Sequence, residues 1–328
     1  MKAIVISRFG GPEVLELRDV PAPAPGRGEV RVRVRATAVN RADLLQRAGA
    51  YPPPPDAPKD IPGLEFAGEV DAVGEGVTDL SAGERVMGLC GGGAYAEAVV
   101  VPARAAVRIP SRLSFAEAAA VPEAFITAWD AMVEQAGLRA GETVLIPAVG
   151  SGVGLAALQL AAAVGARAIG TSRTADKLDR ARAFGLADGD DVVVAHGVFA
   201  PDVLRLTGGR GADVVLELVG GDYVAEDLAC VATRGRIVLV GMMGGHRTDL
   251  DLGQLLRKRV RLVGTMLRSR PLEEKLAAVQ QLERHVAPLL ARGAVQPVID
   301  RKLPLAQAGE AHAYMASNAG FGKIVLEI

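Results

Sequence analysis

The chain has little of what several protein classes require. Only two cysteines, Cys90 and Cys230, occur in 328 residues, and they do not form a C-x-x-C pair. That excludes a disulfide framework and a cysteine-rich metal site. Histidine is scarce as well, with His196, His246, His285 and His312 the whole set. No apolar run approaches the ~20 residues needed to cross a bilayer. The opening Met1-Lys2-Ala3-Ile4-Val5-Ile6 is too short and too soon interrupted for a secretory signal, and reads as a first strand. Net charge is −1, so no global field draws nucleic acid or an anionic membrane. Half the residues are apolar and 23% are charged, the balance of an ordinary globular protein, and the cytoplasm is the expected compartment. At this length two domains are the default.

What the chain does have is a buried strand, a glycine turn and a helix in close succession. From Thr143 it reads Thr-Val-Leu-Ile-Pro-Ala-Val-Gly-Ser-Gly-Val-Gly-Leu and runs on to a Val-Gly-Ala ending at Ala166. Gly150, Gly152 and Gly154 let backbone approach a pyrophosphate, and a helix opening near Val153 offers unpaired N–H groups and the positive end of its dipole. The strand–turn–helix context points to dinucleotide binding, although Val149 and Ser151 stand where the first two glycines of the usual fingerprint would align. Cofactor choice is decided at the end of the following strand, where an NAD site places Asp or Glu. Here the stretch is Gly170-Thr171-Ser172-Arg173-Thr174, with Lys177 one turn on. Hydroxyls and cations suit the 2′-phosphate of NADPH. Asp176 argues the other way, and Thr174 capping a helix would leave Arg173 and Lys177 merely solvated.

Residues 1 to about 118 are dominated by short alternating segments. In Val30-Arg31-Val32-Arg33-Val34-Arg35 valine takes one face and arginine the other, the pattern of a half-buried strand with a solvated face. Later the period changes, with helical stretches at 116–121 and 124–136. Strands then follow at 143–147, 167–171, 192–194, 213–217, 236–240 and 261–263, with helices at 154–164, 175–184 and 201–206. That alternation argues a parallel, doubly wound sheet. A helix over 272–291 leads to closing strands near 298–303 and 323–328. The expected division is 1–120, 121–264 and 265–328, the last part returning to the first domain.

Two further groups stand out. Val39-Asn40-Arg41-Ala42-Asp43-Leu44-Leu45-Gln46, then Ala48-Gly49-Ala50-Tyr51 and the prolines 52–55, bunch polar residues beside an immobile loop, as a pocket wall would. Asn40 and Asp43 alone also fit a strand-to-helix cap. Phe125-Ile126-Thr127-Ala128-Trp129 is an apolar helix with one hydroxyl, which by itself reads as bonded to its own helix.

The combination resembles a family. Pro62-Gly63-Leu64-Glu65-Phe66-Ala67-Gly68-Glu69-Val70, Val73-Gly74 and Gly83-Glu84-Arg85-Val86 are similar to the medium-chain dehydrogenase/reductase superfamily. Asn40-Arg41-Ala42-Asp43, Ser151-Gly152-Val153-Gly154, Leu267-Arg268-Ser269-Arg270, and Asn318 with Gly322-Lys323-Ile324-Val325-Leu326 resemble its zinc-free quinone oxidoreductases, of the zeta-crystallin and p53-inducible type. The likeness runs from residue 1 to 328. It implies a GroES-like β-rich catalytic domain and a Rossmann domain, with the cofactor in the cleft between them, and a homodimer joined through the strand at 261–263. Zinc-dependent relatives carry a cysteine near position 40, a histidine after Gly63 and a four-cysteine lobe near 90. Asn40, Leu64 and the single Cys90 stand there, so no metal site is expected.

Without a Lewis acid, the favoured acceptors already delocalise negative charge, as quinones and conjugated carbonyls do. The resemblance implies that Asn40 and Tyr51 contact the acceptor oxygen, with Asp43 and Gln46 nearby and Thr127 beside the nicotinamide. Tyr51 is then the expected proton donor if one is needed. The turn at Gly150 to Gly154, with Ser151 and Val153, maps onto pyrophosphate contacts, and Ser172, Arg173 and Lys177 onto the 2′-phosphate. Gly241, Gly264, Leu267 and Lys323 flank the nicotinamide half. The rival readings are an NADPH-dependent enoyl or 2-alkenal reductase on the same scaffold, and a non-catalytic, crystallin-like NADPH binder.

Overall fold

The computed structural model describes residues 1–55, 57–194 and 196–328. They form two compact units, Met1–Ile126 with Leu267–Ile328, and Thr127–Met266.

The first unit is built on a seven-stranded sheet in the order Ile299–Pro304, Lys323–Glu327, Glu29–Ala38, Glu65–Val73, Arg85–Leu89 and Ala106–Arg108, with Ala98–Pro102 also paired to Glu29–Ala38. The alternating valines turn inward: Val30, Val32 and Val34 pack with Phe66, Val86 and Val99. The arginines face outward and meet carboxylates on the neighbouring strand, Arg31 with Asp71 at 2.8 Å and both Arg33 and Arg35 with Glu69. Exposed pairs of this kind add little stability; they solvate one face of the strand. Lys323–Glu327 pairs antiparallel with Glu29–Ala38, Val325 opposite Ala38, so the distant segment closes onto the strand that carries Asn40 at its end.

The second unit holds a six-stranded parallel sheet in the order Asp191–Val193, Arg167–Ser172, Thr143–Ile146, Ala212–Glu217, Val231–Leu239, Arg261–Gly264. The first of these strands in the chain lies in the middle, between the second and the fourth. Strand order therefore reverses beside Thr143–Ile146, the position where doubly wound sheets bind ligands. Leu145, Ile169, Val215 and Ile237 form its core with Phe199 and Val203 from the Ala200–Leu206 helix.

Several elements differ in extent from the periodicity. The helix expected to open at 154 begins at Gly152, because Ser151 caps it. The expected 124–136 helix begins at Pro122, whose fixed φ suits a first turn, and after Trp129 loosens into a π segment, Asp130–Gln135. The long helix at 272–291 is likewise divided: Leu272–Gln281, a π segment Leu282–Val286, then Ala287–Ala291. Pro288 supplies no N–H at that junction. Among the described residues no helix is long and apolar enough to cross a membrane.

Candidate active site

In the first unit the end of the Glu29–Ala38 strand and the Arg41–Arg47 helix bring three of the expected residues, Asn40, Asp43 and Gln46, together, and Tyr51 follows in the loop. Asn40 stands at the helix N-cap, where its backbone N–H donates to Asp43 Oδ2 at 2.8 Å. Its side chain turns elsewhere. Asn40 Nδ2 donates to Glu65 Oε1 at 2.9 Å and to the Ala38 carbonyl at 3.2 Å, and its Oδ1 accepts from Lys323 Nζ at 2.6 Å. Lys323 Nζ also donates to Glu65 Oε1 at 2.6 Å and to the Val39 carbonyl at 3.3 Å. Glu65 Oε2 accepts from the Glu123 backbone N–H at 2.8 Å. Lys323, expected beside the nicotinamide, thus has protein oxygens for its three donors and orients Asn40.

Asp43 is fully buried, with Oδ1 accepting from Gly63 N–H at 3.1 Å and Oδ2 from the Tyr95 hydroxyl at 3.3 Å. Burial pushes its carboxyl up to about 6 against the opposing pull of the Asn40 and Gly63 amides. Tyr95 stacks edge-on against His312, and burial lowers His312 to about 3, leaving a neutral packing histidine. Gln46 bridges outward: its Oε1 accepts from Arg268 Nη2 at 2.5 Å, and its Nε2 donates to the Lys59 carbonyl at 3.4 Å. Arg268 also donates to the Gly91 carbonyl at 2.9 Å and places its guanidinium 5.2 Å from the centre of the Tyr51 ring. Tyr51 is half-buried; burial raises its phenol and the Arg268 charge opposes the rise. Burial, reinforced by the Glu65 charge, pushes the half-buried Glu123 carboxyl up to about 8. Glu65, Glu123 and Arg268 complete this group and were not singled out from sequence. A charged residue inside the apolar run Gly63-Leu64-Glu65-Phe66-Ala67 was the available signal for the first.

In the second unit the phosphate-loop residues follow one another through a tight turn. Ala148 adopts a left-handed φ of 54°, Ser151 N–H donates to the Ala148 carbonyl at 2.9 Å, and Val149 N–H to the Thr171 carbonyl at 3.0 Å. Ser151 Oγ accepts from Gly154 N–H at 3.0 Å. Gly150 and Gly154 are buried, whereas Gly152 and Val153 are half-buried at the start of a 13-residue helix. A Cβ on Gly154 would lie 2.6 Å from the Val149 carbonyl oxygen and 2.7 Å from that of Ala148, so this glycine is required by packing of helix on turn. At the end of the Arg167–Ser172 strand, buried Ser172 accepts from Thr174 N–H at 3.2 Å. Thr174 occupies the N-cap of the next helix without a side-chain capping bond. Arg173 is exposed and Lys177 half-buried. Thr127, buried in Pro122–Trp129, also belongs to this unit. Gly241 follows the Val231–Leu239 strand, where a Cβ would lie 2.2 Å from the Leu218 carbonyl oxygen. Gly264 ends the edge strand, exposed, and Leu267 opens the return of the chain to the first unit, buried.

Among the described residues no group of three His, Cys, Asp or Glu is spaced to hold a metal ion. Residues 26–111 match the family model of the alcohol dehydrogenase GroES-like domain, and residues 152–284 that of the zinc-binding dehydrogenases. A quinone oxidoreductase of Pseudomonas aeruginosa is 38% identical over 330 residues, 99% of each chain. A solved NAD-dependent alcohol dehydrogenase is 36% identical with a TM-score of 0.90, each chain covered in full. The Escherichia coli quinone oxidoreductase, solved as a complex with NADPH, is 30% identical with a TM-score of 0.88, again over the full length of both chains. A GroES-like unit, a doubly wound unit and whole-length identity converge on one conclusion: the chain belongs to the quinone oxidoreductase family of the medium-chain dehydrogenase/reductase superfamily.

Proposed function

We propose that the chain reduces quinones by hydride transfer from NADPH without a catalytic metal. The observation that carries this reading is the mutual satisfaction of Asn40, Glu65 and Lys323. In this group an amide, a carboxylate and an ammonium saturate one another, and Lys323 supplies the positive charge that buried Glu65 needs. Such a cluster has no use for a divalent cation, and an acceptor that spreads incoming charge over a conjugated carbonyl does not require one.

The second unit fits the dinucleotide. The half-buried amides of Gly152 and Val153, at a helix start capped by Ser151 and reached through Gly150, suit a pyrophosphate. Ser172, Arg173 and Lys177 suit the 2′-phosphate, and Gly241, Gly264 and Thr127 the nicotinamide half. NADPH, when bound, supplies the hydride. Tyr51 and Glu123 then serve the acceptor. No described residue accepts from the Tyr51 hydroxyl or donates to the Glu123 carboxyl, whereas both amide hydrogens of Asn40 are taken. Tyr51 contacts the acceptor oxygen, Arg268 and Gln46 fix the Tyr51 loop, and Glu123 holds a proton for the reduced product.

A deciding assay mixes chelator-treated protein, NADPH and benzoquinone and follows the loss of NADPH absorbance. Saturable turnover supports the reading; NADPH bound but unconsumed overturns it. The proton held by Glu123 also favours a second reading, reduction of conjugated C=C bonds, since that chemistry needs an acid to protonate carbon. A 2-alkenal in place of benzoquinone separates the two.

A further inference from the structure

In the second unit two acids are buried side by side, and among the described residues no cation bonds either of them. Glu217 ends the Ala212–Glu217 strand and Asp227 lies in the Tyr223–Cys230 helix, and neither is accessible to solvent. Glu217 Oε1 accepts from the backbone N–H of Val219 and, at 2.6 Å, from that of Gly220. The other Glu217 oxygen and both Asp227 oxygens meet no N–H or hydroxyl among the described residues. They face each other, and a hydrogen bond between two carboxyls requires that one carry the proton. Carboxylates this close in a dry interior do not both ionise. Burial and then the Glu217 charge push Asp227 well above the ordinary carboxylate range; burial also raises Glu217, opposed by bonds from Asp227, Gly220 and Val219. The proton belongs to Asp227.

The other groups around the pair do not replace that proton. Tyr223 and Cys230, on the Asp227 helix, are pushed up by burial and stay neutral. Glu226 adds negative charge and accepts from the backbone N–H groups of Phe199 and Ala200. Arg173 acts on Tyr223, and Lys258 donates to the Leu228 and Ala229 carbonyls. Neither cation bonds the pair.

Glu217 holds more than itself in place. The Val219–Gly220 amides it grips belong to a loop locked to the loop after the neighbouring strand: Gly244 N–H donates to Val219 O at 2.6 Å and Gly221 N–H to Gly245 O at 3.1 Å. A Cβ on Gly220, whose φ is 77°, would lie 2.8 Å from the Gly241 oxygen. Both loops follow the carboxyl ends of adjacent parallel strands, the ligand-binding edge of a doubly wound sheet.

We propose that Asp227 is a protonated positioning residue whose carboxylic-acid O–H bonds Glu217, leaving Glu217 to hold the Val219–Gly220 loop against Gly241 in the form that binds the dinucleotide. The proposal rests on the reading of Gly241 as a cofactor contact. Loss of the Asp227 proton sets two carboxylates against each other and drives the loop away from Gly241.

The test is the dissociation constant of NADPH, read by fluorescence from neutral into alkaline solution, for the full chain and its Asp227→Asn and Asp227→Ala variants. The unaltered protein loses affinity about tenfold per pH unit once the shared proton leaves. Asp227→Asn donates the same bond and cannot ionise, so it binds within about threefold of the unaltered protein at neutral pH and its profile stays flat. Asp227→Ala leaves Glu217 without a donor and weakens binding roughly tenfold. An unaltered protein as flat as Asp227→Asn, or an Asp227→Asn variant that titrates like the unaltered protein, overturns the proposal. If no form binds NADPH at any pH, the dinucleotide reading fails instead. The infrared carbonyl band of a protonated acid then decides the pair: present in the unaltered protein and lost in Asp227→Asn it upholds the shared proton, and its absence overturns it.

Discussion

Lys323 and Glu65 meet at 2.6 Å with their side chains 6% and 0% exposed, the most deeply buried ion pair among the described residues. Removing one partner of such a pair strands the other charge, at about 3–5 kcal/mol. Lys323→Met is therefore expected to lose roughly that much stability in urea unfolding. The double variant Lys323→Met, Glu65→Gln recovers part of it. Equal loss in both would mean that the pair acts through packing alone.

Asp43 makes folding stability fall as acid is removed. Its folded carboxyl is raised to about 6 from the ordinary aspartate value of 3.8, so the native state holds a proton that the unfolded chain has already released. The stability from that proton is fully present below the unfolded value and is lost as pH rises through about 6. The size is about 3 kcal/mol. Denaturation midpoints of the unaltered protein should decline over that window relative to Asp43→Asn, and parallel curves would refute the assignment.

Glu123, raised to about 8, gives the reaction its alkaline limb. If it supplies the product proton, kcat/KM falls as pH rises through about 8, and Glu123→Gln removes that limb while lowering the rate roughly 10²-fold. Glu123→Gln also separates the two chemistries: alkenal reduction, which needs an acid at carbon, is nearly abolished, and quinone reduction declines less. A pH profile unchanged by Glu123→Gln assigns the proton to another donor.

Arg173 is the exposed cation at the end of the second strand of the parallel sheet. Charge-assisted bonds to a phosphate contribute about 1.5–3 kcal/mol, so Arg173→Glu is expected to weaken NADPH at least tenfold and leave NADH nearly unchanged. Titration of both nucleotides checks the ratio. Equal weakening would place Arg173 outside the 2′-phosphate site.

The edge strand Arg261–Gly264 leaves Leu262 42% exposed, with Leu256 nearby in sequence at 75%. An unpaired apolar edge invites a second copy. Light scattering is expected to give the mass of a dimer, and Leu262→Pro, which removes an N–H facing the open edge, the mass of a monomer.

The doubly wound sheet was legible because each strand is a short apolar run between helices of contrasting period, from Thr143–Ile146 onward. The helices Tyr223–Cys230 and Leu252–Lys258 were not; the second buries none of its residues and so carries no apolar stripe to read. The site was legible where chemistry is local: Asn40, Asp43, Gln46 and Tyr51 lie within one stretch. Glu65, Glu123 and Arg268 were missed because a buried charge is explained by its partner, and Arg268 meets Gln46 across 222 positions. Nor does local patterning reveal that Glu217 and Asp227 share a proton. The spacing shows two acids; their burial shows that one must be neutral.

The bond from Lys323 to Asn40 spans 283 positions. During synthesis the whole of Thr127–Met266, which forms the doubly wound unit, is made before Lys323 appears. That unit has its strands in hand early and is free to fold while the chain is still growing. The sheet that carries Asn40 must wait, with the Ala36–Ala38 edge of its strand unpaired until Lys323–Glu327 arrives. The group we assign to acceptor chemistry is thus the last to be assembled, and nascent chains are at their most aggregation-prone in the interval before it closes.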